Sequence, residues 1–222
     1  MLFSTPPAPL PKITAPTAAE ICEKSKPSPE GKALLTPGMK PPEFQKALET
    51  NKLGVDSVHF LAHGMQPKDS ICWGAQSCRL VAGKLSLPEM DMLKGLEVWL
   101  KTPNAAFLGN ISACIPKIDF TGPAGWCGQA ALWIGLPGLS AAAIAGAILL
   151  CAGLKVGVAM PPIPKPKIPI PPLGLLTPEI LLKFPLPPVP PLPVLNQPKL
   201  MKILFPFIDL GKLVACGKVS CC

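Results

Sequence analysis

Ala141-Ala142-Ala143-Ile144-Ala145-Gly146-Ala147-Ile148-Leu149-Leu150-Cys151-Ala152-Gly153 is a continuous run of small and aliphatic residues, and no charged residue occurs between Asp119 and Lys155. Residues 130–154 are nearly all apolar and long enough to cross a bilayer, since a spanning helix needs ~20 residues. Four residues that disfavour a continuous helix stand near the start of this stretch: Gly135, Pro137, Gly138 and Ser140. The uninterrupted part that follows has a length typical of a buried core helix. The run therefore predicts a helix buried inside a bundle, and a membrane span is the less favoured alternative.

The centre of the chain, residues 55–154, predicts helices throughout. A capping Asp, or proline and acidic residues in a first turn, mark the start of a helix. Such signals place five helices before the apolar run, beginning near Ser57, Pro67, Pro88, Pro103 and Pro123. The alternation with β-branched residues that is typical of strands is essentially absent. We therefore predict an all-α fold, a compact bundle of about six helices in three helical hairpins, because short loops make consecutive helices antiparallel.

Two Pro-rich flanks border this helical core domain. Residues 1–54 predict an N-terminal arm with one or two short helices. Residues 155–222 predict an extended Pro-rich tail that ends in a short, basic, amphipathic helix over residues 200–214. Pro206 is expected to break that helix, because proline removes a backbone donor and clashes with the preceding turn. The chain thus divides into an arm, a core and a tail.

The Pro-rich segment, residues 161–198, contains 15 prolines in 38 residues. Such a sequence prefers an extended polyproline II ribbon, which forms no internal hydrogen bonds and cannot bury its own apolar side chains. At ~3.1 Å per residue it could reach on the order of 120 Å. We expect its aliphatic side chains to bind a partner protein, and the candidate residues are Ile163, Ile168, Ile170, Leu173, Leu186, Val189, Leu192 and Val194.

The net charge of +8 lies mainly in the tail, where eight lysines face only Glu179 and Asp209. A basic, apolar, extended segment suits an acidic protein groove or an anionic membrane surface, although lysines also keep an apolar chain soluble. Nucleic acid is not expected as a partner, because Arg79 is the only arginine and tyrosine is absent. Nine cysteines without a C-x-x-C pair, and no visible signal peptide, favour a reducing cytoplasm as the place of synthesis.

No constellation of residues predicts catalysis, a metal site or a cofactor. His59 and His63 share a helix face, but Phe60 stands where a zinc protease carries its glutamate base, and no third ligand can be named. Histidines at the edge of a core are the simpler interpretation. Cys72 beside Trp73 could pair with a histidine as a nucleophile, yet its surroundings resemble apolar packing and not a cysteine-protease motif. The four tryptophans are interpreted as core anchors.

An ordered series of Trp, Pro and small residues runs through residues 57–151. Its blocks are Phe60-Leu61-Ala62-His63, Pro67-Lys68, Cys72-Trp73-Gly74-Ala75, Cys78-Arg79, Val98-Trp99-Leu100 with Pro103, Gly122-Pro123-Ala124-Gly125-Trp126, Ala130-Ala131-Leu132-Trp133 and Ala145-Gly146-Ala147-Ile148-Leu149-Leu150. This series resembles a bacterial domain family of unknown function whose genes are often found beside type VI secretion genes. The resemblance implies a contractile-injection context and an accessory role, and it implies no enzymatic activity.

Together these observations favour a non-enzymatic, structural or accessory interaction protein linked to a type VI secretion or related contractile injection apparatus. Its partners would be apparatus subunits or a cargo protein, and a homo-oligomer is compatible with the sequence. We expect a cytoplasmic protein, with export as part of the apparatus also allowed. The alternative is a secreted, membrane-active protein that inserts residues 130–154 and holds anionic lipid with its lysines.

Overall fold

Helices form nearly all of the regular structure in the computed structural model, which describes residues 7–118, 122–157 and 197–220. The α-helices are α1 (Ala18–Ser25), α2 (Pro29–Ala33), α3 (Pro41–Thr50), α4 (Gly54–Gly64), α5 (Pro67–Arg79), α6 (Leu87–Lys101), α7 (Ala105–Cys114), α8 (Pro123–Leu132), α9 (Pro137–Val156) and α10 (Gln197–Ala215). Two 3₁₀ turns cover Ala82–Lys84 and Ile115–Lys117. The described residues form no strand, which confirms the all-α class.

The prediction of about six helices is wrong, because the described residues contain ten. Six of them, α4 to α9, lie where the sequence placed the core, and α1 to α3 and α10 lie outside it. The three predicted hairpins are also only partly present. Helices α6 and α7 pack on each other, as do α8 and α9, whereas α4 and α5 share few contacts and each packs mainly on α9. A short loop places α4 and α5 next to each other in the chain. Each of them nevertheless packs on the apolar surface of α9, and not mainly on the other.

Local capping explains most of the helix starts. Proline occupies the first turn of α3, α5, α8 and α9, where its missing N–H costs no hydrogen bond. The side-chain oxygen of Asn104 accepts from the backbone N–H of Phe107 at 2.9 Å and so caps α7. At the start of α6, the Glu89 carboxylate accepts from the backbone N–H of Ser86 at 3.2 Å, in a capping box.

Helix α9 is the centre of the bundle, and it contacts α4, α5, α8 and α10. Fourteen of its residues are buried, from Leu139 to Gly153 apart from Ala142. It is the helix that the apolar run predicted, extended at its start to Pro137. Within the described ranges it is also the one helix long and apolar enough to cross a membrane by length and composition, with 78% of the relevant window buried by the other helices. Such a helix is equally typical of a soluble core.

The segment before α1 packs against the bundle at three points. Its backbone pairs with the α4–α5 turn through an isolated antiparallel bridge between Ile13 and Met65. The backbone N–H of Lys12 donates to the carbonyl oxygen of Ala215 at 3.0 Å, and Nζ of the same lysine lies 2.6 Å from Asp69. The described part of the predicted arm therefore joins the turn before α5 to the end of α10.

Helix α10 docks with one face on α4, α5 and α9. The buried side chains recur at helical spacing along that face, and they are Leu200, Met201, Leu204, Phe207, Ile208, Val214 and Ala215. Pro206 lies inside this helix, so the predicted break is wrong. A proline inside a helix costs ~3 kcal/mol. Burial of the apolar residues on both sides of Pro206 offsets that cost, because each fully buried Leu, Ile or Phe contributes about 1.5–3 kcal/mol.

One polar contact fixes the position of α10. The indole N–H of Trp73, which has no exposed surface, donates to the carbonyl oxygen of Phe207 at 2.8 Å. Gly211 lies one turn further along α10, and a Cβ atom there would be 2.7 Å from Cε2 of the Trp73 ring. The absence of a side chain at Gly211 therefore lets the indole reach the helix backbone. The other three tryptophans are buried as well, which confirms their interpretation as core anchors.

Replacement of Gly211 by alanine is expected to destabilise the protein by about 1–3 kcal/mol, because the rigid indole of Trp73 cannot move out of the way of a new methyl group. Gly95, inside α6, is a matched control, since the nearest atom to a Cβ there is Cγ1 of Ile111 at 3.8 Å. Gly95→Ala should stabilise the protein by about 0.5–1 kcal/mol through helix propensity alone. Urea unfolding followed by circular dichroism measures both changes. A gain in stability for both variants would show that α10 does not pack on Trp73 as described.

Candidate functional site

The predicted partner-binding residues, from Ile163 to Val194, lie outside the described residues, and so does most of the Pro-rich segment. The structure does define the helices that flank this segment. Helix α9 ends at Val156 and α10 begins at Gln197, and these two helices contact each other in the bundle. Residues 158–196 therefore connect two helices that share one core.

The first of these two attachment points is the end of α9. Gly157 closes the helix in the left-handed conformation, with φ of 71°. The ammonium group of Lys84 donates to the carbonyl oxygens of Leu154 and Lys155, at 2.5 and 3.2 Å, which satisfies two acceptors that the helix end leaves unpaired. Lys155 in turn places its own Nζ 5.5 Å from the centre of the Phe207 ring, in a cation–π contact with α10.

A groove of about 630 Å³ lies between the N-terminal segment, α3 and the end of α10. Its apolar lining includes Leu10, Pro42 and Leu213. Its volume falls in the range of ~300–1,000 Å³ that is typical of ligand pockets. No sequence pattern predicts this groove, because the end of α10 is more than 150 residues away from the other two segments that form it.

Lys212 is the central charge of the groove. Its Nζ lies 2.9 Å from Glu49 and 2.8 Å from Asp209. Burial opposes the charge on Lys212, but hydrogen bonds to the two carboxylates outweigh burial and raise the pKa of this lysine. On the same wall, the thiol of Cys216 donates to the carbonyl oxygen of Pro9 at 3.0 Å. These contacts fix the side chains of the groove wall, and none of them pairs a nucleophile with a base.

His59 and His63 share one face of α4, as predicted, and their rings stack with centres 6.4 Å apart. Burial lowers the pKa of both, and in His63 the nearby charges of His59 and Lys24 lower it further, to about 4. The described residues contain no group of three His, Cys, Asp or Glu side chains that could hold a metal ion. Cys72 forms a disulfide, so its thiol is not available as a nucleophile for either histidine.

A cluster of buried thiols is the feature that sequence reasoning missed. Cys78 on α5 and Cys127 on α8 have no exposed surface, and their sulfur atoms are 3.8 Å apart. Cys151 on α9, which is also fully buried, lies beside Cys78 and completes the cluster. The three positions are 49 and 24 residues apart, so no local motif marks them. The one sequence feature related to this cluster is Gly74, because its missing side chain leaves room for the sulfur of Cys127.

A family model described as a family of unknown function (DUF6931) matches residues 44–159. No curated protein and no solved structure matches the chain. The matched residues include most of α3 and all of α4 to α9, so that α1, α2 and α10 pack onto the matched bundle from outside it.

The pKa of His63 predicts how stability depends on pH. The folded-state pKa of about 4 lies below the ordinary value near 6.5, so the unfolded chain binds more protons between these values. Stability should therefore fall as the pH drops from 6.5 towards 4, with a loss on the order of 2 kcal/mol from His63 alone. In His63→Gln this loss should disappear. Urea unfolding at pH 7 and at pH 4.5 measures both proteins, and equal losses in the two would contradict the burial of His63.

Proposed function

The chain belongs to the family of unknown function DUF6931, whose model matches just over half of its residues, and we propose that it is a non-enzymatic accessory protein that presents the Pro-rich segment to partner proteins. The single observation that carries the proposal is that α9 and α10, which border this segment, are packed against each other. A bundle built in this way holds the residues on both sides of the segment, and the proposal is that the segment between them binds a partner.

The attachment at both ends changes the expected reach. A free ribbon of 38 residues could extend on the order of 120 Å, but a chain that must return to α10 can project only about half as far, or ~60 Å. Such a loop suits contact with a neighbouring subunit more than a strap across a large assembly. Tethering also limits the conformational freedom of the loop before it binds, which reduces the entropy lost on docking.

The composition of the segment favours protein as its partner. The described residues already form a continuous buried core that includes residues of α1 and of α3 to α10. They leave few large apolar side chains exposed, the most exposed being Leu87 at 83% and Leu80 at 53%. The aliphatic residues of the Pro-rich segment thus find little exposed apolar surface on this bundle. Recognition of a polyproline ribbon in an apolar groove, with acidic residues facing its lysines, would provide the burial that they lack.

The proposed setting is a type VI secretion or related contractile injection apparatus, with an apparatus subunit or a cargo protein as the partner. What supports this setting is the resemblance of residues 57–151 to a family whose genes lie beside type VI secretion genes. Synthesis in the cytoplasm is part of the proposal, and so is export with the apparatus.

The test replaces the eight aliphatic residues from Ile163 to Val194 with serine and keeps every proline. We expect the variant to retain its helical circular dichroism and thermal midpoint, because every helix of the described bundle keeps its sequence, and to lose its partner by at least 100-fold in affinity. Affinity purification from the native host identifies the partner, and titration of the purified pair measures the change. A control variant, Leu87→Ser with Val98→Ser, removes exposed apolar side chains of α6 and should bind normally. Unchanged binding by the eight-serine variant would overturn the proposal.

Membrane insertion of residues 130–154 is the competing function, and the hydropathy of α9 is the observation in its favour. Insertion would require α9 to leave four helices that now cover it. We therefore expect purified protein to stay at the bottom of a flotation gradient with vesicles of anionic lipid. Flotation that is lost when Ala145, a residue without exposed surface, is replaced by glutamate would favour insertion instead.

A further inference from the structure

The Cys78–Cys127 pair has the geometry of two thiols held in contact by their helices. Their sulfur atoms are 3.8 Å apart, and both side chains are fully buried between α5 and α8. A Cβ atom at Gly74, one turn before Cys78, would lie 2.8 Å from the sulfur of Cys127. The glycine thus lets α8 approach the backbone of α5 closely. Formation of a disulfide, with its S–S bond of about 2.05 Å, requires the two sulfurs to move less than ~2 Å.

The two thiols are not equivalent. Hydrogen bonding with Cys127 and Cys151 lowers the pKa of Cys78, although burial opposes this. The hydrogen bond with Cys78, together with burial, raises the pKa of Cys127. Cys78 is therefore the thiol better able to attack an oxidant, because the thiolate is the nucleophile. Cys127 lies next to the sulfur that reacts first, and it can lose its proton to the hydroxyl that leaves in the second step.

We propose that Cys78 and Cys127 are a peroxide-oxidisable pair, in which oxidation of Cys78 is followed by a disulfide between α5 and α8. In the first step the Cys78 thiolate attacks one oxygen of hydrogen peroxide, the O–O bond breaks, and Cys78 becomes a sulfenic acid while hydroxide leaves and takes up, as water, the proton that the Cys78 thiol lost on ionisation. In the second step the sulfur of Cys127 attacks the sulfenic sulfur, and the thiol proton and the sulfenic hydroxyl leave as water. Overall, two thiols and one hydrogen peroxide give one disulfide and two waters.

Because Cys78 and Cys127 are fully buried, only a small oxidant is expected to reach them. A hydroperoxide as small as hydrogen peroxide needs only a brief local opening of the bundle to reach the cluster. A bulky disulfide such as oxidised glutathione would need α5 and α8 to separate, because exchange requires an in-line approach to sulfur. The product would link positions 49 residues apart and should raise the thermal midpoint by roughly 5–10 °C, since it constrains the unfolded chain.

The experiment uses the full chain without added reductant. The protein is treated with hydrogen peroxide or with oxidised glutathione, unfolded in the presence of N-ethylmaleimide, and mapped by mass spectrometry without reduction. Peroxide should give a linked peptide pair that contains Cys78 and Cys127 and is two hydrogens lighter than the free pair. Oxidised glutathione should give none over the same time. The half-exposed thiol of Cys114 reports the progress of oxidation in the same sample.

Two variants test the order of the steps. In Cys127→Ala the reaction should stop at the sulfenic acid on Cys78, which dimedone traps, whereas Cys114→Ser should form the link as the wild type does. If Cys127→Ala does not fold, the peptide map of the wild type decides alone. The proposal is overturned if Cys78 and Cys127 are both recovered as alkylated thiols after Cys114 has been oxidised. It is also overturned if Cys78 is linked to Cys151, or if oxidised glutathione forms the link as fast as peroxide does.

Discussion

Burial of α9 on nearly all of its sides is the constraint on which the other helices depend. A helix made of Ala, Gly, Ile and Leu has almost no polar surface, and its backbone can be approached closely because many of its side chains are small. Covering it takes α4, α5, α8 and α10 together. Removal of a large apolar area from water is the dominant favourable term in folding, at roughly 25 cal/mol per Å². The positions of these four helices follow from this requirement more than from the loops that join them.

Helix α10 completes this cover, although it lies outside the region that the family model matches. Its position rests on Trp73, which belongs to the matched region, and on Phe207 and Gly211, which do not. A fully buried indole N–H without a hydrogen-bond partner would destabilise the folded state by about 1–3 kcal/mol. The core therefore needs the carbonyl oxygen of Phe207 as the acceptor for Trp73. The same contact anchors the far end of the Pro-rich segment. The packing of the core therefore also fixes the residues that follow the Pro-rich segment.

The sequence predicted the elements of the central bundle better than their contacts. Prolines, capping residues and apolar spacing are local, so the helices from α4 to α9 were placed close to their observed bounds. Asp56 shows where local reasoning fails. It was expected to cap α4, but it lies inside that helix and accepts hydrogen bonds from the backbone and the hydroxyl of Ser28, at 3.0 and 2.5 Å. Its true partner is 28 residues away, and no short-range pattern encodes such a pairing.

The candidate sites show the same limit in physical terms. The spacing of His59 and His63 was enough to place them on one helix face, because helical periodicity is local. The thiol cluster and the groove each join elements that are distant in sequence, and they exist only because of how α9 and α10 pack. Pro206 is the opposite case, in which a strong local rule was overruled by burial on both sides of it. Local signals thus define helices, and long-range burial decides what those helices bring together.

Glu89 shows how the bundle tolerates a charge next to its core. Glu89 is only 6% exposed, and a Cβ atom at Gly122 would collide with its carboxylate, so the start of α8 is shaped around this side chain. Burial raises the pKa of Glu89, and hydrogen bonds from Ser86 and from the backbone of Ala124 only partly oppose it. A raised folded-state pKa means that ionisation of Glu89 costs stability as the pH rises. The positive ends of two helices, α6 and α8, reduce that cost, because a carboxylate at a helix N-terminus gains about 0.3–1 kcal/mol. Glu89 thereby holds the start of α6 against the start of α8. Cys127 lies in the second turn of α8, close to this contact in sequence.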